Sequence, residues 1–215
     1  MQGFLFDLDG TLTDSQAGIV QCYRIALESL GMMGLSDEDL RSQVGAPIPE
    51  VLRAFNAGFD ESEIARGIAA YREAYEREGI YVNRLYDGVR DMLSAIRASG
   101  RPAWIVTTKP QTYAERVVEI LELGDLVGGV IGPDLKEFGT KTPLIRRALE
   151  GAGLEPARMV MLGDRHYDVL GALETGVTPV GALWGYGGHA ELHGAGCRAF
   201  AASASAFCVT YVNGS

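Results

Sequence analysis

An α/β fold built on a parallel sheet and interrupted by an all-helical insertion is the architecture this sequence predicts. Two observations carry the expectation. Short, wholly apolar runs alternate with helical stretches along most of the chain, the pattern of strands covered on both faces by crossover helices. Over residues 15–86 the alternation stops and only helical periodicity remains. Composition agrees: 215 residues, 47% hydrophobic and 22% charged, are ordinary for a globular chain long enough to bury a full core without staples.

In order, residues 3–6 read as a buried strand running straight into Asp7, followed much later by strands at 102–107, 127–131, 158–162 and 178–183, a short one at 199–201 and a closing helix at 204–212. Helices between them end on glycine: 89–99 at Gly100, 143–150 at Gly151 and 169–175 at Gly176, each where a left-handed residue is wanted. In the insertion, Ile19, Cys22, Tyr23, Ala26, Leu27 and Leu30 mark one amphipathic helix. Ile64, Ile68, Tyr71 and Tyr75 mark another, with Asp60 and Glu63 spaced as a capping box. The expected division is 1–14 with 87–215 as the sheet-bearing core, and 15–86 as the insertion.

A net charge of −9 and a pI near 4.9 disfavour a nucleic acid polymer, whose phosphates an acidic surface repels. A small phosphorylated ligand stays open, given a local cation or metal. No run approaches the ~20 apolar residues of a membrane helix, and the N-terminus has no basic region and meets Asp7 too early for a signal peptide. Cys22, Cys197 and Cys208 are odd in number and unpaired in spacing. They read as reduced thiols, so the expected location is cytoplasmic, without a membrane partner.

The strongest local signal is Asp7-Leu8-Asp9-Gly10-Thr11-Leu12-Thr13-Asp14. Two carboxylates two residues apart at a strand's end can both enter the crevice where open α/β sheets bind ligands; in isolation an acidic turn explains them equally well. Gly163-Asp164-Arg165-His166-Tyr167-Asp168 ends another apolar strand, though Asp168 could serve only as a helix cap. Converging carboxylates repel one another unless a hard cation neutralises them, and oxygen ligands with room for water and phosphate favour Mg²⁺. Thr107 and Thr108 end a strand and could donate to a phosphoryl oxygen. Lys141 precedes a helix and is preferred to its rivals Lys109 and Lys136 as the phosphate-binding cation.

Taken in order, the four features resemble the haloacid dehalogenase-like hydrolase superfamily: a DxDGT motif, a Thr/Ser, a Lys and a GDxxxD motif, spread over the whole chain. The resemblance implies a Rossmann-like core with a helical type-one cap, and looks closest to phosphoglycolate phosphatase-like and bacterial 5′-nucleotidase-like proteins. Tyr71-Arg72-Glu73, Leu85-Tyr86-Asp87-Gly88, Gly163-Asp164-Arg165 and Leu183-Trp184-Gly185-Tyr186-Gly187 point to the second. It further implies Asp7 as nucleophile, Asp9 as acid and base, Thr107, Thr108 and Lys141 on the phosphoryl group, and Mg²⁺ held by Asp7, the Asp9 carbonyl and Asp164, with Asp168 in support.

Asp9 argues against a dehalogenase, and the absence of lysine from 15–86 argues against a Schiff-base phosphonatase. The expected reaction is Mg²⁺-dependent hydrolysis of a small phosphorylated metabolite, a nucleoside 5′-monophosphate first and 2-phosphoglycolate second. A phosphosugar mutase and a non-catalytic binder are the rivals, and a monomer or small homo-oligomer is expected. Candidate substrate-reading residues are Gly45, Ala46, Pro47, Arg53, Tyr71, Arg72 and Tyr75. The two tyrosines also fit an apolar helical stripe, and the arginines a solvated face. His189 and His193 share a helical face without a third ligand nearby, and His166 reads as a rim residue.

Overall fold

Phe4, Leu5 and Phe6 are all fully buried, which places their strand in the middle of a sheet covered on both faces. The computed structural model describes residues 3–135 and 139–214. The chain runs through β1 (Gly3–Phe6), β2 (Thr13–Asp14), α1 (Gln16–Ser29), α2 (Asp37–Ser42), α3 (Ile48–Phe55), α4 (Glu61–Arg77), β3 (Arg84–Leu85), α5 (Val89–Ala98) and β4 (Ala103–Val106). It continues through α6 (Gln111–Ile120), β5 (Val130–Ile131), α7 (Lys141–Ala152), β6 (Met159–Gly163), α8 (His166–Thr175), β7 (Thr178–Ala182), α9 (His189–Gly194), β8 (Phe200–Ala201) and α10 (Ala204–Phe207). A wider helical turn over Cys208–Asn213 follows α10, where the sequence suggests one helix.

Six strands form one parallel sheet in the order β5-β4-β1-β6-β7-β8. This is the Rossmann-type α/β fold. Alternate side chains of β1 serve opposite faces, as strand geometry requires. Leu5 joins Val106, Ile145, Ala148, Met161 and Ala172 in the core under α7 and α8. Phe4 and Phe6 meet the edge of Phe207 from α10, with ring centroids 5.7 and 6.1 Å apart.

The packing divides the chain into two compact units, 3–14 with 84–214, and 15–83. Within the first, the strands that leave for and return from the insertion pair side by side. Thr13 faces Leu85 and Asp14 faces Arg84 in an antiparallel ladder, and Arg84 donates to Asp14 Oδ2 at 2.8 Å. That ladder keeps residues 84–86 with the sheet unit, whereas periodicity alone assigns them to the insertion.

The insertion, taken by itself, is a helical packing problem. Ile19, Cys22, Tyr23, Ala26 and Leu27 are the buried stripe of α1, and Ile64, Gly67, Ala74 and Tyr75 that of α4. Both arms of the Asp60–Glu63 capping box form, at 2.8 and 2.9 Å. Gly67 lets α4 come close to its neighbours: an added Cβ would lie 2.8 Å from Leu52 and 3.0 Å from Leu30.

Helix ends follow the glycines with one correction. Gly100 and Gly176 have positive φ, but α7 runs through Gly151 and stops at Gly153, φ 63°. A glycine inside a helix costs about 1 kcal/mol relative to alanine, so its presence does not oblige the helix to stop.

Candidate active site

Asp7 follows β1, Thr107 follows β4 and Asp164 lies just past β6. These strands are adjacent and parallel, so all three residues lie at one edge of the sheet. That edge is where strand order reverses, between β1 and β6, and where open α/β sheets leave a crevice. Immediately after Asp7 the backbone turns tightly. Leu12 N and Thr13 N both donate to Leu8 O at 2.9 Å, and Gly10 N donates to Thr13 O at 2.8 Å. Gly10 has φ +88°, and a Cβ there would land on the Asp164 carboxylate. Glycine is needed at this position for both reasons.

At the centre lies a buried charge cluster. Lys141, the first residue of α7, is 3% exposed. Its ammonium donates to Asp7 Oδ1 at 2.7 Å and to Val106 O at 2.9 Å, and it forms an ion pair with Asp168 Oδ1 at 2.8 Å. Asp168 Oδ2 accepts from Arg165 N at 3.1 Å. Asp168 therefore ties α8 to the ammonium instead of serving as a mere cap. Asp164 is completely buried. Its Oδ1 accepts from Thr11 Oγ1 at 2.9 Å and its Oδ2 from Tyr186 N at 2.8 Å.

The electrostatics show what this cluster lacks. Burial pushes the Asp7 carboxyl up to about 6; Lys141 opposes the rise, and Asp168 and Asp9 add to it. Burial, then Asp7 and Asp168, push Asp164 up to about 8 against the hydrogen bonds from Tyr186 and Thr11. Burial draws Lys141 down, but Asp168 and Asp7 more than offset it and hold the ammonium above its usual range. Asp7, Asp164 and Asp168 present carboxylate oxygens within 4.8 Å of one another. Were all three carboxylates ionised, the single ammonium would leave two negative charges uncompensated, and the upward shifts of Asp7 and Asp164 express that excess. A hard, oxygen-preferring divalent cation fits that donor set.

The remaining sequence candidates divide. Thr107 is buried, and its Oγ1 accepts from Lys109 N at 3.2 Å; Thr108 is half-buried beside it. Lys109, a rival to Lys141 in the sequence, has a different partner: its ammonium lies 2.5 Å from Asp9 Oδ2. Lys136 lies outside the described residues. Thr11, the Trp184–Tyr186 loop and Glu191 are contacts that spacing did not single out by role, although Thr11 stands within the first motif.

In the insertion, Gly45 has φ +100°, Ala46 O accepts from the Tyr23 hydroxyl at 3.4 Å, and Pro47 caps α3. Arg53 pairs with Glu61 at 2.8 Å. Tyr71 stacks on Tyr75 with centroids 6.0 Å apart, and Tyr75, 1% exposed, belongs to the helical core. Arg72 is half-buried. His189 and His193 stack on each other at 5.7 Å; among the described residues the three aspartates are the one group that could hold a metal. No described helix is long and apolar enough to cross a membrane.

Known proteins agree with this geometry. The profile of the haloacid dehalogenase-like hydrolases matches residues 4–182, and the chain belongs to that family. It is a phosphatase of the family. A 5′-nucleotidase of Pseudomonas aeruginosa is 34% identical over 87% of this chain and 85% of its own. A phosphoglycolate phosphatase of Neisseria meningitidis is 31% identical over 87% and 82%. The tyrosine-protein kinase PtkA of Mycobacterium tuberculosis is 36% identical over 85% of this chain but 62% of its own length. The solved structure of a predicted phosphatase from Clostridium acetobutylicum superimposes with a TM-score of 0.92, at 29% identity, covering 99% of both chains.

Proposed function

We propose that the protein hydrolyses small phosphate monoesters through Asp7, with Mg²⁺ held by the Asp7 and Asp164 carboxylates and the Asp9 carbonyl and supported by Asp168. The observation that carries the reading is the Asp7–Lys141–Asp168–Asp164 cluster, three carboxyl groups around one ammonium, buried beside the carboxyl ends of adjacent strands. Bound there, the cation would neutralise charge on the carboxylates and on the transferring phosphoryl oxygens. Asp7 attacks phosphorus in line and forms an aspartyl-phosphate. Asp9 gives its proton to the departing ester oxygen, then takes one from the water that hydrolyses the intermediate. Thr107, Thr108 and Lys141 hold the phosphoryl oxygens, and the Lys109–Asp9 ion pair must open before Asp9 carries the proton that it gives.

The substrate class we infer is a nucleoside 5′-monophosphate, supported by the 5′-nucleotidase relative. The phosphoglycolate phosphatase relative supports 2-phosphoglycolate as the second reading. The inserted unit acts in this proposal as a cap that reads the substrate, chiefly through the Gly45-Ala46-Pro47 loop, with Arg53, Tyr71 and Arg72 beside it. Tyr75, committed to the helical core, is left out of that set. Phosphate release from nucleotides, phosphoglycolate and sugar phosphates, with Mg²⁺ and with EDTA, tests this. Mg²⁺-dependent release peaking on nucleoside monophosphates is expected. A phosphoglycolate peak selects the second reading, and no release by a folded protein that binds Mg²⁺ brings the mutase and the non-catalytic binder forward.

A further inference from the structure

The segment after β7 carries a motif, Trp184-Gly185-Tyr186-Gly187, to which the reaction above gives no task. Its contacts run to the metal-site loops. Trp184 Nε1 donates to Thr11 O at 3.0 Å, and Thr11 donates through its hydroxyl to Asp164 Oδ1. Two residues on, Tyr186 N donates to Asp164 Oδ2. The segment thus reaches both oxygens of one buried carboxylate, one directly and one through Thr11. A Cβ at Gly185 would fall on the Asp164 Cβ and the Gly10 carbonyl, and one at Gly187 on the Asp164 carbonyl. The glycines are there because the strand-end loop and this segment are packed backbone against side chain.

A second anchor lies on α9. Glu191 Oε1 accepts from Arg165 Nε at 2.9 Å and from His166 N at 2.9 Å, and lies 2.7 Å from His166 Nδ1. Arg165 is the residue whose backbone N–H holds Asp168 Oδ2. One stretch of eight residues, 184–191, therefore fastens the loop after β1, the loop after β6 and the start of α8.

We propose that residues 184–191 are a strap whose positioning residues, Trp184, Gly185 and Glu191, set the affinity of the site for Mg²⁺ by fixing Asp164 and the Arg165–His166 backbone. The strap has this role without touching substrate, and the inference rests on the metal reading given above. Groups that orient a metal's ligands are typically worth about 10- to 100-fold in metal affinity when removed. A site that is only loosened should recover its turnover once Mg²⁺ is saturating, whereas a site that has lost a reacting group should not.

The test is calorimetric titration of the intact protein with Mg²⁺ alone, beside the Mg²⁺ dependence of phosphate release. Trp184→Phe keeps the ring and removes the donor; Gly185→Ala adds the clashing Cβ; Glu191→Ala removes the acceptor and Glu191→Gln restores it. The expected result is a Mg²⁺ dissociation constant weakened about tenfold in Trp184→Phe and Glu191→Ala, more in Gly185→Ala, and largely rescued in Glu191→Gln. At saturating Mg²⁺ kcat should return to near the wild-type value. Should Gly185→Ala not fold, the other three variants carry the test. Wild-type uptake of Mg²⁺ with unchanged affinity in Trp184→Phe and Glu191→Ala overturns the strap alone. A wild-type protein that takes up no Mg²⁺ overturns the metal reading and the strap with it.

Discussion

The sheet edge and the helical insertion handle charge in opposite ways. At the sheet edge, Lys141, Asp7, Asp164 and Asp168 are all buried, and nearly every polar atom is committed to a partner. In the insertion the ion pairs Arg24–Asp37, Arg41–Asp37 and Arg53–Glu61 lie on the surface, with Glu61 87% exposed. Buried charges cost several kcal/mol each to desolvate and are held only by excellent geometry. Exposed pairs contribute about 0–1 kcal/mol. The contrast teaches that the sheet edge keeps an expensive, cation-hungry arrangement that folding alone does not require, while the insertion draws its stability from packing and leaves its surface free to vary.

Five substitutions probe this contrast, from the largest effect to the smallest. Lys141→Met should leave Asp7 and Asp168 buried without their cation, costing about 3–5 kcal/mol in denaturant unfolding. It should also lower phosphate release by about 10²–10³-fold through loss of a charge on the phosphoryl oxygens. Equal stability and activity in that variant would erase the distinction. Tyr75→Ala should remove about 3–5 kcal/mol of packing from the insertion. Hydrogen exchange over 15–83 should rise while Mg²⁺ titration of the sheet unit stays the same, showing that the two units draw on separate cores.

Glu191 gives a pH prediction. Burial raises its carboxyl, but the His166 amide, Arg165 and the His166 ring outweigh that and hold it below its usual value of 4.5. A lowered folded value means that the stabilisation is present above pH 4.5 and fades as pH falls through the folded value. The melting-temperature gap between wild type and Glu191→Gln should therefore be open near pH 7 and shrink below 4.5. A gap that widens on acidification would contradict the assignment. Smaller still, Asp60→Ala should cost about 1 kcal/mol through its capping box. By the same measurement Arg53→Ala should stay within about 0.5 kcal/mol, since its partner is in water.

Much of the site was legible because strand ends write themselves into sequence. An apolar run that stops on Asp7, or on Gly163-Asp164, already says where a carboxylate leaves the sheet. The order of strands made those separated runs neighbours, and the alternation of apolar and helical stretches announced the parallel sheet. The Arg84–Leu85 ladder was not legible, for two residues carry no periodicity; hence the insertion reads three residues too long. Position beside a helix start favoured Lys141 over Lys109, but only the fold shows that one ammonium meets Asp7 and the other Asp9. Tyr75 illustrates the reverse ambiguity. An aromatic residue on a helical stripe fits a ligand wall and a core equally well, and the near-complete burial of Tyr75 decides for the core.

The central claim is that Asp7 is the group that attacks phosphorus, with Asp164, Asp168 and Lys141 arranged to let it. The most direct test is phosphate release by purified Asp7→Asn, beside the wild type, at saturating Mg²⁺ and with the preferred monoester. The account predicts a folded variant that binds the ester and releases phosphate at the rate of the enzyme-free control. Steady turnover by that variant above the control would contradict it and remove Asp7 from the nucleophile's role.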